Sequence, residues 1–139
     1  MAKSGFSVSQ RRKVEVISAT PHVAKAADCG QHFVLATDLG GAAAISLPSI
    51  ADAGNGWHCT IHVGATQTGN VSITTADGAT LQHLHIAADG GAAVAITSQD
   101  GGATVQLLGG GGGNQVVAGD FVELKVLNGV YFARGVSAK

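Results

Sequence analysis

Apolar and polar residues alternate with a period of two along much of this chain. The alternation is clearest in WHCTIHV (residues 57–63), NVSITT (70–75) and FVELKV (121–126). In a strand, successive side chains point to opposite faces, so this pattern predicts strands with one buried and one wetter face. Further short segments with strand character occur at residues 32–37, 42–48, 79–88, 92–99, 103–108, 115–118 and 130–136.

Glycine-containing turns separate these segments. Asp77-Gly78, Asp89-Gly90-Gly91 and Asp100-Gly101-Gly102 follow one another closely, and Asn128-Gly129 divides the two segments nearest the C-terminus. Asp-Gly and Asn-Gly favour hairpins because both residues tolerate the positive φ that type I′ turns require. Together the strands and turns predict an all-β body of about nine or ten short strands, in a two-sheet sandwich or a jelly roll.

Helical signals are weak. The segment after Pro48 predicts at most one helical turn, and residues 22–30 are compatible with a short helix or an irregular connection. Before residue 31 only KVEVIS (13–18) has strand character. We therefore divide the chain into an N-terminal arm, residues 1–30, and a β-sandwich body, residues 31–139.

Composition supports a single β-domain without altering this picture. The chain has 139 residues, 21 glycines and only 12% charged residues. Glycine supplies tight turns at little steric cost, which suits a protein made of short strands. A net charge of −1 gives no reason to expect a nucleic-acid or membrane partner.

Charge is distributed unevenly along the chain. Residues 1–25 carry five basic residues against one acidic residue, whereas the remainder carries three basic and eight acidic residues. A basic arm beside an acidic body favours contact with an acidic neighbour, either another protein or a second copy. The candidate contact residues are Arg11, Arg12 and Lys13; the alternative is a solvated tail.

The two cysteines predict free thiols. Cys29 and Cys59 form no CxxC motif, and the first residues lack the apolar segment of a secretory signal. We therefore expect synthesis in a reducing cytoplasm, with Cys59 packed as a small apolar residue.

Histidine spacing raises the question of a metal site. His83 and His85 lie two apart and are followed by Asp89, and His58 and His62 also share one strand face. The first set distantly resembles the cupin metal motif, but the glycine spacing differs and no second motif follows. Histidines on the wet face of strands explain the same spacing, so we expect no bound metal and no cofactor.

Catalytic motifs are not recognisable. The five glycines at 109–113 precede a strand pattern and lack the Gly-Lys-Ser/Thr of a phosphate-binding loop. No serine lies in a GxSxG elbow, and no cysteine lies in a nucleophile motif. We therefore expect a protein that is not an enzyme.

Two longer segments resemble structural proteins of tailed bacteriophages. These are FVLATDLGGAAAISLPSIADAGNGWHCTIHVGA (33–65) and GDFVELKVLNGVYFARGVS (119–137). The resemblance covers roughly residues 32–137 and is nearest to capsid cement, or decoration, proteins.

The resemblance implies a β-sandwich of jelly-roll type on the outer capsid surface. Such a protein would cement major capsid protein subunits and associate with itself as a homodimer or homotrimer. The alternatives are a phage fibre or receptor-binding domain and, third, a cupin-like metal-binding protein.

Overall fold

The structure, a computed structural model, describes residues 13–88, 94–107 and 116–137. These residues contain one short helix, α1 (Ile50–Ala53), and a single 3₁₀ turn at Ala26–Asp28. They also form eleven strands, which are β1 (Lys13–Val16), β2 (His22–Val23), β3 (Gln31–Leu35), β4 (Ala43–Leu47), β5 (His58–Val63), β6 (Val71–Thr75), β7 (Leu81–Ala88), β8 (Val94–Gly102), β9 (Thr104–Leu107), β10 (Phe121–Leu127) and β11 (Val130–Ser137).

The strands form two sheets, which confirms the predicted all-β sandwich. The large sheet has the order β1-β3-β5-β10-β11-β7-β8, and the small sheet has the order β2-β4-β6-β9. The first six strands alternate between the two sheets. From β3 to β6, each strand pairs in parallel with the strand two before it in the chain: β3 with β1, β4 with β2, β5 with β3 and β6 with β4. The chain therefore winds through residues 13–75 as successive coils.

The jelly-roll type is not confirmed. Among the described strands, five of the nine pairs are parallel and four are antiparallel, whereas a jelly roll is built from antiparallel strands. The winding of the first six strands produces four of the parallel pairs, and β7 beside β11 produces the fifth.

The C-terminal hairpin has the predicted two-residue turn. Leu127 pairs with Val130, and the residues between them have positive φ, 50° at Asn128 and 71° at Gly129. Positive φ at both positions is the type I′ geometry that matches strand twist. The hairpin does not lie at an edge, because β10 pairs with β5 and β11 pairs with β7.

One hydrophobic core fills the space between the sheets. Alternate residues are buried in β3, β4, β5, β6, β9, β10 and β11, as the period-two pattern predicted. The fully buried large side chains include Phe33, Leu35, Ile45, Leu47, Ile61, Ile73, Leu81, Leu107, Leu124 and Tyr131. Tyr131 contacts Trp57 edge to face, with ring centroids 6.1 Å apart, and donates a hydrogen bond to the Pro48 carbonyl at 2.8 Å. This hydrogen bond compensates for the loss of water contacts when the Tyr131 hydroxyl is buried.

Two of the Asp-Gly sequences do not form hairpins. Asp77-Gly78 connects β6 in the small sheet to β7 in the large sheet, so the predicted hairpin there is wrong. Asp100-Gly101-Gly102 lies within β8, and β9 then enters the other sheet. The Asp89-Gly90-Gly91 turn lies outside the described residues. The Asp77-Gly78 sequence therefore predicted that the chain turns there, but it did not predict which sheet the next strand joins.

The sandwich begins earlier in the chain than residue 31. β1 pairs with β3 in the large sheet, and β2 pairs with β4 in the small sheet. Ile17 and Ala24, each 2% exposed, belong to the core. Of the region assigned to an arm, residues 13–30 are thus built into the body, while residues 1–12 lie outside the described residues.

Gln67 joins two loops at one end of the sandwich. Its side chain is fully buried and donates hydrogen bonds to the carbonyls of Thr37 (3.0 Å) and Ala65 (2.7 Å). It also accepts one from the Leu39 amide at 3.2 Å. These contacts hold residues 36–42 against residues 64–70. The fit is tight, because a Cβ added at Gly69 would overlap the backbone of Gly41.

We expect Gly69→Ala to destabilise the protein by roughly 1–3 kcal/mol, because a backbone that cannot relax freely must move to admit the methyl group. Gly41→Ala is the matched control, since a Cβ at Gly41 has no neighbour within 4 Å. Urea unfolding followed by circular dichroism measures both. Equal unfolding midpoints for the two variants would contradict the close approach of these loops.

Candidate functional site

The two outer faces of the sandwich differ in chemistry. On the small sheet, the described outward-facing side chains are mainly small and uncharged: Val23, Ala44, Ser46, Ser72, Thr74, Thr104 and Gln106. On the large sheet, the outward-facing side chains of β3, β5, β10 and β11 include four aliphatic residues, Val34, Leu127, Val130 and Val136. The others carry a ring, a charge or a hydroxyl: His32, His58, Thr60, His62, Phe121, Glu123, Lys125, Phe132 and Arg134. We call this second set the outer face of the large sheet and take it as the candidate site.

Strand register orders the outer face in rows. Thr60, Glu123 and Arg134 lie side by side across β5, β10 and β11. The next row contains His58, Lys125 and Phe132. Opposite charges directly across an antiparallel pair are favourable, although exposed pairs contribute only about 0–1 kcal/mol. The rows therefore give the face a mixed polar and aromatic character rather than a single charge.

A histidine pair spans β3 and β5 on this face. His32 Nδ1 and His62 Nε2 are 2.9 Å apart, the ring centroids are 5.2 Å apart, and the ring planes differ by 20°. This centroid distance is the one expected when two nearly coplanar imidazoles point at each other along one N–H···N axis. One ring therefore donates and the other accepts. The lone pairs do not converge on a third point, as they would around a metal ion.

A second contact on this side involves Cys29 and His58. Cys29 Sγ lies 3.7 Å from His58 Nδ1, and the same nitrogen lies 3.0 Å from the Gly56 carbonyl oxygen. Because a carbonyl can only accept, Nδ1 carries the proton and donates to Gly56. With its proton directed at Gly56, Nδ1 does not accept a hydrogen bond from the Cys29 thiol.

A shallow depression of about 450 Å³ lies between β3, β5 and β10. Its polar lining includes His32, His58, Thr60, Glu123 and Lys125. Residues of both charges thus face one open surface. Across the three described ranges, no group of three or more His, Cys, Asp or Glu side chains is placed to hold a metal ion.

The structure places the predicted contact residues only in part. Arg11 and Arg12 lie outside the described residues. Lys13 begins β1 at the edge of the large sheet, and its Nζ lies 3.5 Å from the Ala27 carbonyl. An acidic partner would reach Lys13 from that edge.

His83 of β7 is placed differently from the prediction. His83 was expected on a wet face, but it pairs with the buried Ala133 of β11 and lies on the core side. Both ring nitrogens of His83 are shielded from solvent. His85 lies opposite Gly135 in the same register, and Asp89 lies outside the described residues.

Sequence patterns found one member of the His32–His62 pair but not the pair itself. Alternation placed His58 and His62 on one strand face, and both are on the outer face as predicted. His62 contacts His32 of the neighbouring strand, however. The parallel pairing of β3 with β5 creates this contact, and no local motif encodes it.

No family model, curated protein or solved structure matches this chain. Among the described residues, no helix has the length and apolar character needed to cross a membrane.

We expect the two thiols to differ sharply in reactivity. Cys29 is exposed, whereas Cys59 is 2% exposed and its burial raises the pKa of the thiol to about 12. The thiolate is the reactive form. At pH 8 an aromatic disulfide reagent should therefore label one thiol rapidly and the second roughly 100-fold or more slowly.

The Cys29→Ser variant should lose the rapid phase, and Cys59→Ala should retain it. Both thiols of the wild-type chain should react at once in denaturant. Equal rapid labelling of both thiols in the folded protein would contradict the burial of Cys59.

Proposed function

We propose that this chain is a structural virion protein that binds the outer surface of a tailed-phage capsid and cements major capsid protein subunits. The sequence resemblance over residues 32–137 suggests this class. The observation that carries the proposal is the contrast between the two outer faces. One face is mainly small and uncharged, and the other concentrates aromatic, histidine and charged side chains.

The chemistry of the large-sheet face suits protein recognition. Phe121 and Phe132 are half-buried there, and Arg134 is exposed between their rows. Aromatic residues and arginine are enriched at the centres of protein interfaces. A paired sheet holds these side chains in fixed positions, so little ordering is needed on binding.

Cementing needs no chemical step. A protein that binds the assembled shell more tightly than the loose subunits stabilises the shell by mass action. Modest contacts repeated over the capsid, and linked by self-association as a dimer or trimer, add up as avidity. The bridging role therefore requires a rigid body with exposed contact surfaces, and no cofactor.

The N-terminal basic residues extend the same proposal. Arg11, Arg12 and Lys13 would dock on an acidic surface of the capsid protein or of a sister copy, because the guanidinium fork binds carboxylates with two hydrogen bonds. Lys13 lies on β1, the edge strand of the large sheet. Of the three residues, Lys13 would therefore make its contact at this edge of the sheet.

A phage fibre or receptor-binding domain is the second candidate. The depression lined by His58, Thr60, Glu123 and Lys125 favours it, because neighbouring donors and acceptors of both charges can bind a polar ligand such as a glycan. Specific retention of a glycan by the isolated protein, lost in Lys125→Ala, would support this candidate over cementing.

We expect Phe132→Ala combined with Arg134→Ala to weaken attachment to capsids roughly tenfold or more, the size typical of central interface residues. The matched control is Thr104→Ala combined with Gln106→Ala, which alters exposed residues of the small-sheet outer face. Bound copies per particle are measured by titrating each variant onto purified capsids that lack the protein.

Thermal melting of each free variant checks that the body remains folded. Equal occupancy for the two double variants would show that the large-sheet face is not the attachment surface.

A further inference from the structure

The strand β1 lies at one edge of the large sheet and has no second neighbour among the described strands. All four of its residues are exposed, and Val14 and Val16 are 65% and 55% exposed. Edge strands of natural proteins are commonly covered or disrupted, since an open edge pairs readily with another strand. Two exposed valines on an edge that no other described strand covers therefore suggest a place where a partner strand binds.

Backbone geometry shows which residues would make that contact. The Ile17 amide donates to the Val34 carbonyl of β3 at 2.9 Å. In a parallel ladder the bonded residues alternate, so Lys13 and Glu15 direct their backbone groups toward β3. The N–H and C=O groups of Val14 and Val16 consequently point away from β3, toward the open edge.

We propose that β1 pairs with β1 of a second copy, antiparallel and across a two-fold axis centred on Val14. In this register the two Val14 residues exchange backbone hydrogen bonds. Lys13 of each copy lies directly opposite Glu15 of the other, so the symmetry produces two favourable charge pairs. Opposite charges at directly facing positions stabilise an antiparallel pair.

Neighbouring registers are less favourable. A two-fold axis centred on Glu15 uses the same outward backbone groups but places the two Glu15 carboxylates opposite each other, which is destabilising. An axis centred on Val16 places Glu15 opposite the apolar Ile17 and forms no charge pair. The short KVEV sequence thus specifies one register through its charges.

This pairing joins the two large sheets into one continuous sheet. Because the axis is perpendicular to the sheet, both outer faces point to the same side. The arrangement is isologous and closed, so it forms a dimer and does not propagate. The inference does not rest on the proposed capsid function, since it concerns association of the isolated protein.

Four-residue strands form a small interface, and interfaces below about 1,200 Å² are typical of weak complexes. A covalent trap is therefore the sharpest test. In a hydrogen-bonded antiparallel pair the facing Cα atoms are about 5.5 Å apart, which lies within the range a disulfide can bridge. Cys29 is exposed, so the trap is built in a Cys29→Ser background.

Val14→Cys in this background should form disulfide-linked dimers under mild oxidation at least tenfold faster than Val23→Cys. Val23 is the matched control because it is a valine of similar exposure, 58%, on the edge strand β2 of the small sheet. Non-reducing electrophoresis over time measures both. Equal rates, or faster linkage at Val23, would overturn the proposal.

A charge exchange tests the register. Lys13→Glu or Glu15→Lys alone should weaken association in sedimentation velocity, because each places like charges opposite each other. The double variant Lys13→Glu with Glu15→Lys should restore association, since the facing pairs are again of opposite charge. Additive weakening in the double variant, or no effect of either single change, would overturn the register.

Discussion

The insertion of the C-terminal hairpin into the middle of the large sheet is the constraint on which the rest of the structure depends. β10 pairs with β5 over five positions, and β11 pairs with β7 over seven. Without these two strands, β1-β3-β5 and β7-β8 would be separate sheets. The Asn128-Gly129 turn, whose positive φ values suit a two-residue loop, holds the two inserted strands together.

Contacts from elsewhere in the chain hold this hairpin in place. The Gly129 amide donates to Asn55 Oδ1 at 2.9 Å, and the Gly56 amide donates to the Val126 carbonyl at 2.8 Å. Tyr131 packs against Trp57 and donates its hydroxyl hydrogen to the Pro48 carbonyl. All of these partners lie in or beside the segment between β4 and β5. That segment thus contacts the hairpin across at least 70 positions of sequence.

The character of the candidate surface follows from the same insertion. β10 and β11 contribute its two phenylalanines and its charged rows, and β3 and β5 contribute its histidines. Segments distant in sequence therefore create one mixed face on a rigid sheet. The small sheet, built mostly from the first coils, offers no comparable set among its described residues.

Local patterns in the sequence determined most of the strands, the buried side of strands such as β5, β6 and β10, and the two-residue turn at Asn128-Gly129. Period-two alternation assigns a face to each residue of a strand, and positive φ restricts the residues that a tight turn accepts. Both are properties of short segments, so they can be read without knowing any neighbour.

Only the tertiary structure decided which strands are neighbours. The winding of the first six strands, the position of residues 13–30 within the body, the core-side location of His83 and the His32–His62 contact all depend on which sheet the chain enters after each turn. Asp77-Gly78 illustrates the reason. A turn of this kind suits a hairpin locally, but it also carries the chain from β6 into the other sheet, where Leu81 at the start of β7 is fully buried in the core. The choice between these outcomes is made by competition among long-range contacts for one core, and no short segment contains that information.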